Sequence, residues 1–267
     1  MIVWAFWFES LALVLGGMTL AWCVSRWLDN VSIVDGLWSL GFLVAGSYYA
    51  WRLGDWGART PLLAVLALVW GLRLSIHIFR RNHGKGEDPR YRAMREAVGP
   101  SFRNRSWVTV FLLQGALLWV MALPWAAALS PDGPGLGPWD AVGSLLWLIG
   151  FAFEAIGDAQ LARFKRAPAS RGQVMDRGLW RFTRHPNYFG EATLWWGFYF
   201  LAVGSGAAWT ILSPILLTFL LLRVSGVSLL EKTIVERRPA YRDYIERTSS
   251  FLPWPPRRRH RHRSVAG

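Results

Sequence analysis

The residues of this sequence that are able to do chemistry fall into a few spaced sets. Arg73 and His77 stand four residues apart, so on a helix they share one face, and Arg80 and Arg81 continue toward the same end. Glu154 and Asp158 form a second such pair, followed by Arg163, Lys165 and Arg166. Asp35 opens an apolar run in Ser32-Ile33-Val34-Asp35-Gly36-Leu37-Trp38, Glu191 starts another, and Glu231 closes a third. Arg177, Arg181 and Arg184 recur at near-helical spacing just before Pro186 and Asn187. A proline is harmless near a helix start and asparagine caps one well, so an arginine face approaches a helix start there. Guanidinium forks and exposed helix-start amides suit a phosphate. His77, His83 and His185 lack zinc-like spacing with carboxylates, and His260 and His262 lie in a basic tail, so no metal is expected. There is no Gly-x-Gly-x-x-Gly turn and no phosphate-binding loop. Cys23 alone builds neither a disulfide nor a cysteine-based metal site.

The elements that must position these side chains are apolar. Of 267 residues 53% are hydrophobic, with 18 Trp and a formal net charge of +13, which points to the membrane class. A bilayer-spanning helix needs about 20 apolar residues. Spans are expected at 2–24, 31–51, 61–80, 106–129, 139–161, 188–205 and 207–228, the last two parted by Gly204-Ser205-Gly206. Met1 to Phe8 carries no positive region, so no cleaved leader is expected. Trp4, Trp7, Trp51, Trp56, Trp107, Trp125, Trp139 and Trp209 fall near proposed ends, as interfacial aromatics do. Gly/Pro interruptions are expected only at loops, and no internal repeat stands out, which argues against a transporter.

Lys and Arg set the orientation. Eight fall between Arg80 and Arg105, seven between Arg163 and Arg184, and eleven from Arg223 onward, 26 of 30 in all. They share one side only with seven spans and the N-terminus outside, and the positive-inside rule makes that side cytoplasmic. Arg52 and Arg59 are exceptions that Asp55 partly offsets. Residues 1–256 read as one seven-helix domain and 257–267 as a basic, disordered tail whose charge serves topology and anionic lipid. A charge at a helix centre costs roughly 2.5–3.5 kcal/mol on the insertion scale. Asp35 as a cap, Arg73 snorkelling, or Glu154 and Asp158 pairing with Lys165 each offers a bland account. Together, on spans that share one end, they describe a polar cavity open to the basic side.

The stretch Asp176-Arg177-Gly178-Leu179-Trp180-Arg181-Phe182-Thr183-Arg184-His185-Pro186-Asn187-Tyr188-Phe189-Gly190-Glu191 resembles the C-terminal membrane domain of the steroid 5α-reductase family and related sterol reductases. Its most specific part is the Arg-His-Pro-Asn-Tyr-x-Gly-Glu run. Glu154-x-x-x-Asp158 with Lys165 looks like the family's cofactor helix, although that helix usually has asparagine where Glu154 stands. The Asp35-x-x-Trp38 segment is similar to a bacterial branch. The resemblance implies an NADPH-dependent oxidoreductase acting on a carbon–carbon double bond conjugated to a ketone in a steroid-like lipid. It implies a cofactor lined by Arg73, Arg81, Glu154, Asp158, Lys165, Arg177, Arg184, His185, Asn187, Tyr188, Glu191 and Trp195. Asp35, Trp38 and Trp70 would meet the substrate, and Asp35 and Glu191 would be catalytic. The family's Gln-Glu pair is not reproduced, since Val34 precedes Asp35, and its substrate-side tyrosine has Trp70 as the nearest match.

On this reading a buried, protonated Asp35 donates to the ketone oxygen as hydride reaches the β-carbon. The lipid enters sideways from the bilayer of a bacterial inner membrane. Nucleic acid and an obligate protein partner are not expected. The rival is an S-adenosylmethionine-dependent membrane methyltransferase of the isoprenylcysteine or phospholipid type, which shares the Arg-His-Pro-x-Tyr run and whose ending Glu231, Tyr241 and Tyr244 mimic.

Overall fold

The structure, a computed structural model, describes residues 2–54, 57–129, 135–170, 172–224, 231, 234–235 and 239–257. Helix runs through nearly all of it, because long apolar stretches with few breakers satisfy their backbone groups internally. The helices are α1 (Ile2–Leu28), α2 (Ile33–Leu53), α3 (Arg59–Asn82), α4 (Pro89–Val98), α5 (Phe102–Ser106), α6 (Leu113–Met121), α7 (Leu123–Ala128), α8 (Pro138–Arg166), α9 (Pro186–Gly204), α10 (Leu212–Phe219) and α11 (Tyr241–Arg247). Among the described residues there is no β-strand, only an isolated bridge between Thr183 and Ser249. Four helical stretches, Trp4–Leu28, Arg59–Asn82, Pro89–Ala128 and Pro138–Arg166, are long and apolar enough to cross a membrane. This is the build of an all-α membrane protein. The runs of α2 and α9 are diluted by glycine, tyrosine and tryptophan.

The expected fourth span is not one even helix. A π-helical turn, Trp107–Leu112, joins α5 to α6. A break at Ala122 separates α6 from α7, where Pro124 lacks the amide that a continuous helix needs. The expectation that Gly and Pro interrupt only loops is corrected here. Residues 225–228 of the expected seventh span, Trp56, Asp55 and residues 258–267 of the basic tail lie outside the described residues.

The chain divides into two compact units, Met1–Gly143 with Phe198–Ser213, and Ser144–Gly197 with Pro214–Gly267. In the first unit α2 and α3 approach closely over small residues. Ser39 Oγ donates to the Gly71 carbonyl at 3.0 Å and Ser75 Oγ to the Gly36 carbonyl at 2.8 Å. A Cβ on Gly36 would sit 2.8 Å from the Phe79 ring, so the serines reach their acceptors only because glycine stands opposite. Trp7 and Trp119 stack at 3.7 Å, and each indole N–H donates to the other's backbone carbonyl, at 3.1 and 2.6 Å. The reciprocal bonds fix α1 on α6.

Trp7 and Trp125, expected at the membrane interface, are buried at 8% and 1% exposure. Trp4, Trp51, Trp107, Trp139 and Trp209 are exposed. Trp125 instead packs with Phe42, Trp70 and Phe198 in an aromatic core. Arg52 and Arg59 both have acidic partners among the described residues. Arg52 pairs with Glu9. Arg59, only 5% exposed, grips Asp140 through Nε at 2.6 Å and Nη2 at 2.9 Å, and Nη2 also reaches the Gly135 and Gly204 carbonyls at 3.1 Å.

In the second unit α8 and α9 meet backbone to backbone. A Cβ on Gly150 would lie 2.4 Å from the Leu194 amide nitrogen, and one on Gly190 would lie 2.4 Å from that of Glu154. Gly157 faces the Pro186 ring and the Asn187 amide, both just beyond 3 Å from its would-be Cβ. The glycine contacts set α8 and α9 in register, with Glu154 and Asp158 on one helix and Asn187 and Glu191 on the other.

Candidate functional site

The first unit carries Asp35, Trp38, Trp70, Arg73 and Arg81. Asp35 lies in the first turn of α2 and is neither cap nor open acid: Ser32 holds the cap position. Arg90 Nη2 donates to its Oδ2 at 2.5 Å and the Tyr91 hydroxyl to its Oδ1 at 2.7 Å. Gln114 Nε2 in turn donates to the Tyr91 hydroxyl at 3.1 Å. Asp35 therefore accepts at both oxygens, and the hydroxyl of Tyr91, a residue the sequence reading missed, is the group holding a proton. Tyr91 escaped notice because it lies in the basic stretch between apolar runs, in α4, started by Asp88 as cap and Pro89 at the first position.

Around this cluster a charged clasp ties the segment before α2 to the segment before α4. Glu87 accepts from the Val31 amide at 2.9 Å and from Arg95 at 2.9 and 2.8 Å, Arg95 also reaches Asp29 at 3.1 Å, and the Asp88 amide donates to Ser32 Oγ at 2.6 Å. Burial pushes the Glu87 carboxyl up, but the bonds from Arg95 and Val31 outweigh it and hold the carboxyl below its usual range. Asp88 is held low in the same way: burial raises it and Arg90 more than offsets that.

Trp38 packs edge-on against Phe42 at 4.8 Å. Trp70 is fully buried beside Phe42, Trp125 and Phe198, so it is a core residue and not the wall of an open substrate pocket; four aromatic rings closing on one another explain the difference. Arg73 is half-buried on α3, and Arg81 is exposed at its end, where its Nε bonds Asn82 at 3.1 Å.

The second unit carries the other ten. Glu154 and Asp158 are buried, at 2% and 8%, and Asn187 Nδ2 donates to Asp158 Oδ1 at 3.2 Å. Asn187 is thus inside α9 and bonded to α8, not the helix cap that its type suggested. Tyr188 lies parallel to the His185 ring at 5.4 Å. Glu191 is half-buried, Trp195 fully buried, and Lys165 and Arg177 exposed.

The helix start expected to receive a ligand's phosphate already holds an anion of the chain itself. Arg184 donates from Nε and Nη2 to Glu231 at 2.7 and 3.0 Å, and from Nη1 to the Ile245 and Thr248 carbonyls. Those contacts occupy four of the five N–H donors a guanidinium has. His185 Nε2 lies 3.1 Å from the same carboxylate. Burial pushes Glu231 up, yet His185 and Arg184 together hold it below the usual carboxylate range. Arg184 and His185 are corrected accordingly: they anchor Glu231 and the chain beyond it, because an internal carboxylate reaches them first.

The turn before α9 is built by specific bonds. Gly178 has φ of 59°, and its amide neighbour Leu179 donates to Gln160 Oε1 at 3.0 Å. A Cβ at Gly178 would also strike the Gln160 amide. Trp180 Nε1 donates to the Gly157 carbonyl at 3.0 Å. A C-terminal strap then closes over this turn: Arg184 N bonds the Ser249 carbonyl, Thr183 Oγ1 that of Phe251, and Trp254 N that of Phe182. The Tyr244 hydroxyl donates to the Trp180 carbonyl. Between turn and strap lies a cavity of about 270 Å³ lined by Asp176, Arg181, Arg247, Thr248, Pro256 and Arg257. Arg247 bonds Asp176 at 2.6 Å, while its buried Nε has no hydrogen-bond partner among the described residues. Three guanidinium groups stand around one carboxylate, and of the cavity's lining Arg181 alone belongs to the spaced arginines that the sequence displayed.

A family model described as "Protein of unknown function (DUF1295)" matches residues 21–248. The chain belongs to that family. The family is a member of the steroid 5α-reductase-like superfamily, in agreement with the resemblance carried by the Arg-His-Pro-Asn-Tyr run. An uncharacterized protein of Schizosaccharomyces pombe is 28% identical over 279 aligned positions, covering 91% of this chain and 78% of the yeast protein. No solved structure matches the chain.

Proposed function

We propose that this chain is a membrane reductase that uses NADPH to reduce a carbon–carbon double bond conjugated to a ketone in a steroid-like lipid. The observation that carries the reading is the arginine-lined cavity of the second unit, with an unmet guanidinium donor, in the unit that also buries Glu154 and Asp158. A phosphorylated cofactor suits three arginines; S-adenosylmethionine carries no phosphate. Arg181, Arg247 and Arg257 would hold phosphate, and Asp158 with Asn187, flanked by Glu154 and Glu191, would hold polar edges of the cofactor. The residues that mimic a methyltransferase ending are already engaged, Glu231 with Arg184 and His185 and Tyr244 with Trp180.

Bound NADPH supplies the hydride. The rest is the work of the chain. Negative charge developing on a ketone oxygen calls for a hydrogen-bond donor in a site that excludes water. The same proposal takes the chain as crossing a bacterial inner membrane seven times, N-terminus outside, with the basic segments on the cytoplasmic side where NADPH is found.

Thermal shift of the detergent-purified protein with NADPH, NADH and S-adenosylmethionine tests the reading. NADPH should stabilise most, and Arg247→Ala should weaken it by about tenfold, the worth of one charge-assisted hydrogen bond. Stabilisation by S-adenosylmethionine alone would overturn the proposal.

A further inference from the structure

Glu9, Tyr48 and Arg52 form a polar triad that the proposed reduction does not use. Arg52 donates from Nε to Glu9 Oε2 at 3.1 Å and from Nη2 to Oε1 at 3.2 Å, and the Tyr48 hydroxyl donates to Oε2 at 2.5 Å. The Arg52 and Glu9 side chains remain 37% and 42% exposed. All three sit at one end of the α1–α2 pair. Arg52 is one residue from the end of α2, and Glu9 is about 10 Å along α1 from its start at 1.5 Å per residue. Charges left open on membrane helices are costly and mark sites.

Beside the triad runs a groove of about 430 Å³ lined by Leu13, Leu43, Val44, Ser47, Tyr48 and Trp51. Its walls are apolar, and Leu13, Val44 and Trp51 are exposed along it. We infer that the groove and triad bind one phospholipid with a zwitterionic, primary-ammonium headgroup. The acyl chain lies along Leu13, Leu43 and Val44, as hydrocarbon does against aliphatic side chains. Hydrogen-bond bookkeeping selects the headgroup. Each carboxylate oxygen accepts two bonds, so Glu9 Oε1, holding one, has room for an ammonium N–H. The Arg52 guanidinium, which lies over the Phe6 ring at 4.5 Å and is 37% exposed, turns its open edge to the phosphate. The pair is neutral as a whole, so it gives an anionic lipid no advantage, although the chain carries +13. A choline headgroup has the charge but no N–H to give.

Full-length protein in mild detergent is incubated with phosphatidylethanolamine, phosphatidylcholine or phosphatidylglycerol of identical acyl chains, and bound lipid is counted by native mass spectrometry. Phosphatidylethanolamine should be retained about tenfold over the other two. Glu9→Gln should erase that preference, and Val44→Trp, at an exposed position that leaves the fold intact, should lower retention of all three. Equal retention of the three lipids, a preference for phosphatidylglycerol, or a phosphatidylethanolamine preference that survives both substitutions would overturn the inference. None of these readouts depends on NADPH, so the reductase reading stands or falls separately.

Discussion

Replacing Gly150 by alanine tests whether backbone contact between α8 and α9 positions the polar residues of the second unit. The added Cβ would lie 2.4 Å from Leu194 N and 2.5 Å from the Gly190 carbonyl, both backbone atoms of a helix that has no side chain to swing away. Ordinary contact begins near 3.4 Å, so the helices must part by about 1 Å. Overpacking of this kind costs about 1–3 kcal/mol, against roughly 1 kcal/mol gained because alanine favours helix over glycine. The net loss is about 0–2 kcal/mol, a fall of up to roughly 6 °C in Tm. Parting the helices by 1 Å also takes the Asn187–Asp158 bond, now 3.2 Å, out of hydrogen-bonding range, so NADPH affinity should fall with stability. Gly16 on α1 is the control. Nothing lies within 4 Å of its would-be Cβ, so Gly16→Ala should raise Tm slightly. The assay is thermal unfolding of both variants in one detergent, with cofactor titration. If Gly150→Ala matches Gly16→Ala in Tm and binds NADPH as the parent does, the register argument is wrong.

Arg59→Ala should cost about 3–5 kcal/mol, because it strands a buried Asp140, whereas Arg59→Met with Asp140→Leu should recover most of the loss; thermal unfolding of the three chains compares them. Glu231 has its carboxyl held low in the folded chain, so its contribution is present above the unfolded value and is lost as pH falls through the folded one. Glu231→Gln should therefore flatten the acid limb of a Tm-against-pH curve and lower the neutral plateau. Tyr91→Phe removes the hydroxyl that bonds Asp35 and should lower stability by about 1.5–3 kcal/mol, read as a fall in Tm. An unchanged Tm would show that the bond to Asp35 contributes nothing to the fold.

Helices were legible where apolar length dictates them: the starts and ends of α1, α2, α3, α8 and α9 fall within a few residues of the expected spans. The turn at Gly178 and the proline at the start of α9 were also readable, because glycine and proline report backbone conformation directly. Partners were not. The bonds of Asp35 to Arg90 and Tyr91 join residues 55 and 56 positions apart, and Arg59 meets Asp140 across 81. No local spacing encodes such pairings. The arginine face before α9 shows why spacing alone misleads. Arg184 has the position expected of a phosphate ligand, but Glu231 occupies it, while Arg247 and Arg257, without any periodic signature, line the cavity beside Arg181.

The strap has a consequence for how the protein is made. Arg184 obtains its Nη1 acceptors from residues 61 and 64 positions later, and one wall of the cavity comes from Arg247 to Arg257. A ribosome delivers the α8–α9 hairpin well before the segment that closes over it. During that interval Arg184 lacks its Ile245 and Thr248 acceptors, and the cavity lacks the Arg247 and Arg257 side of its lining. A chain truncated before Ser249 would lack both the strap and the arginines on that side of the cavity, so the turn before α9 would stay uncovered.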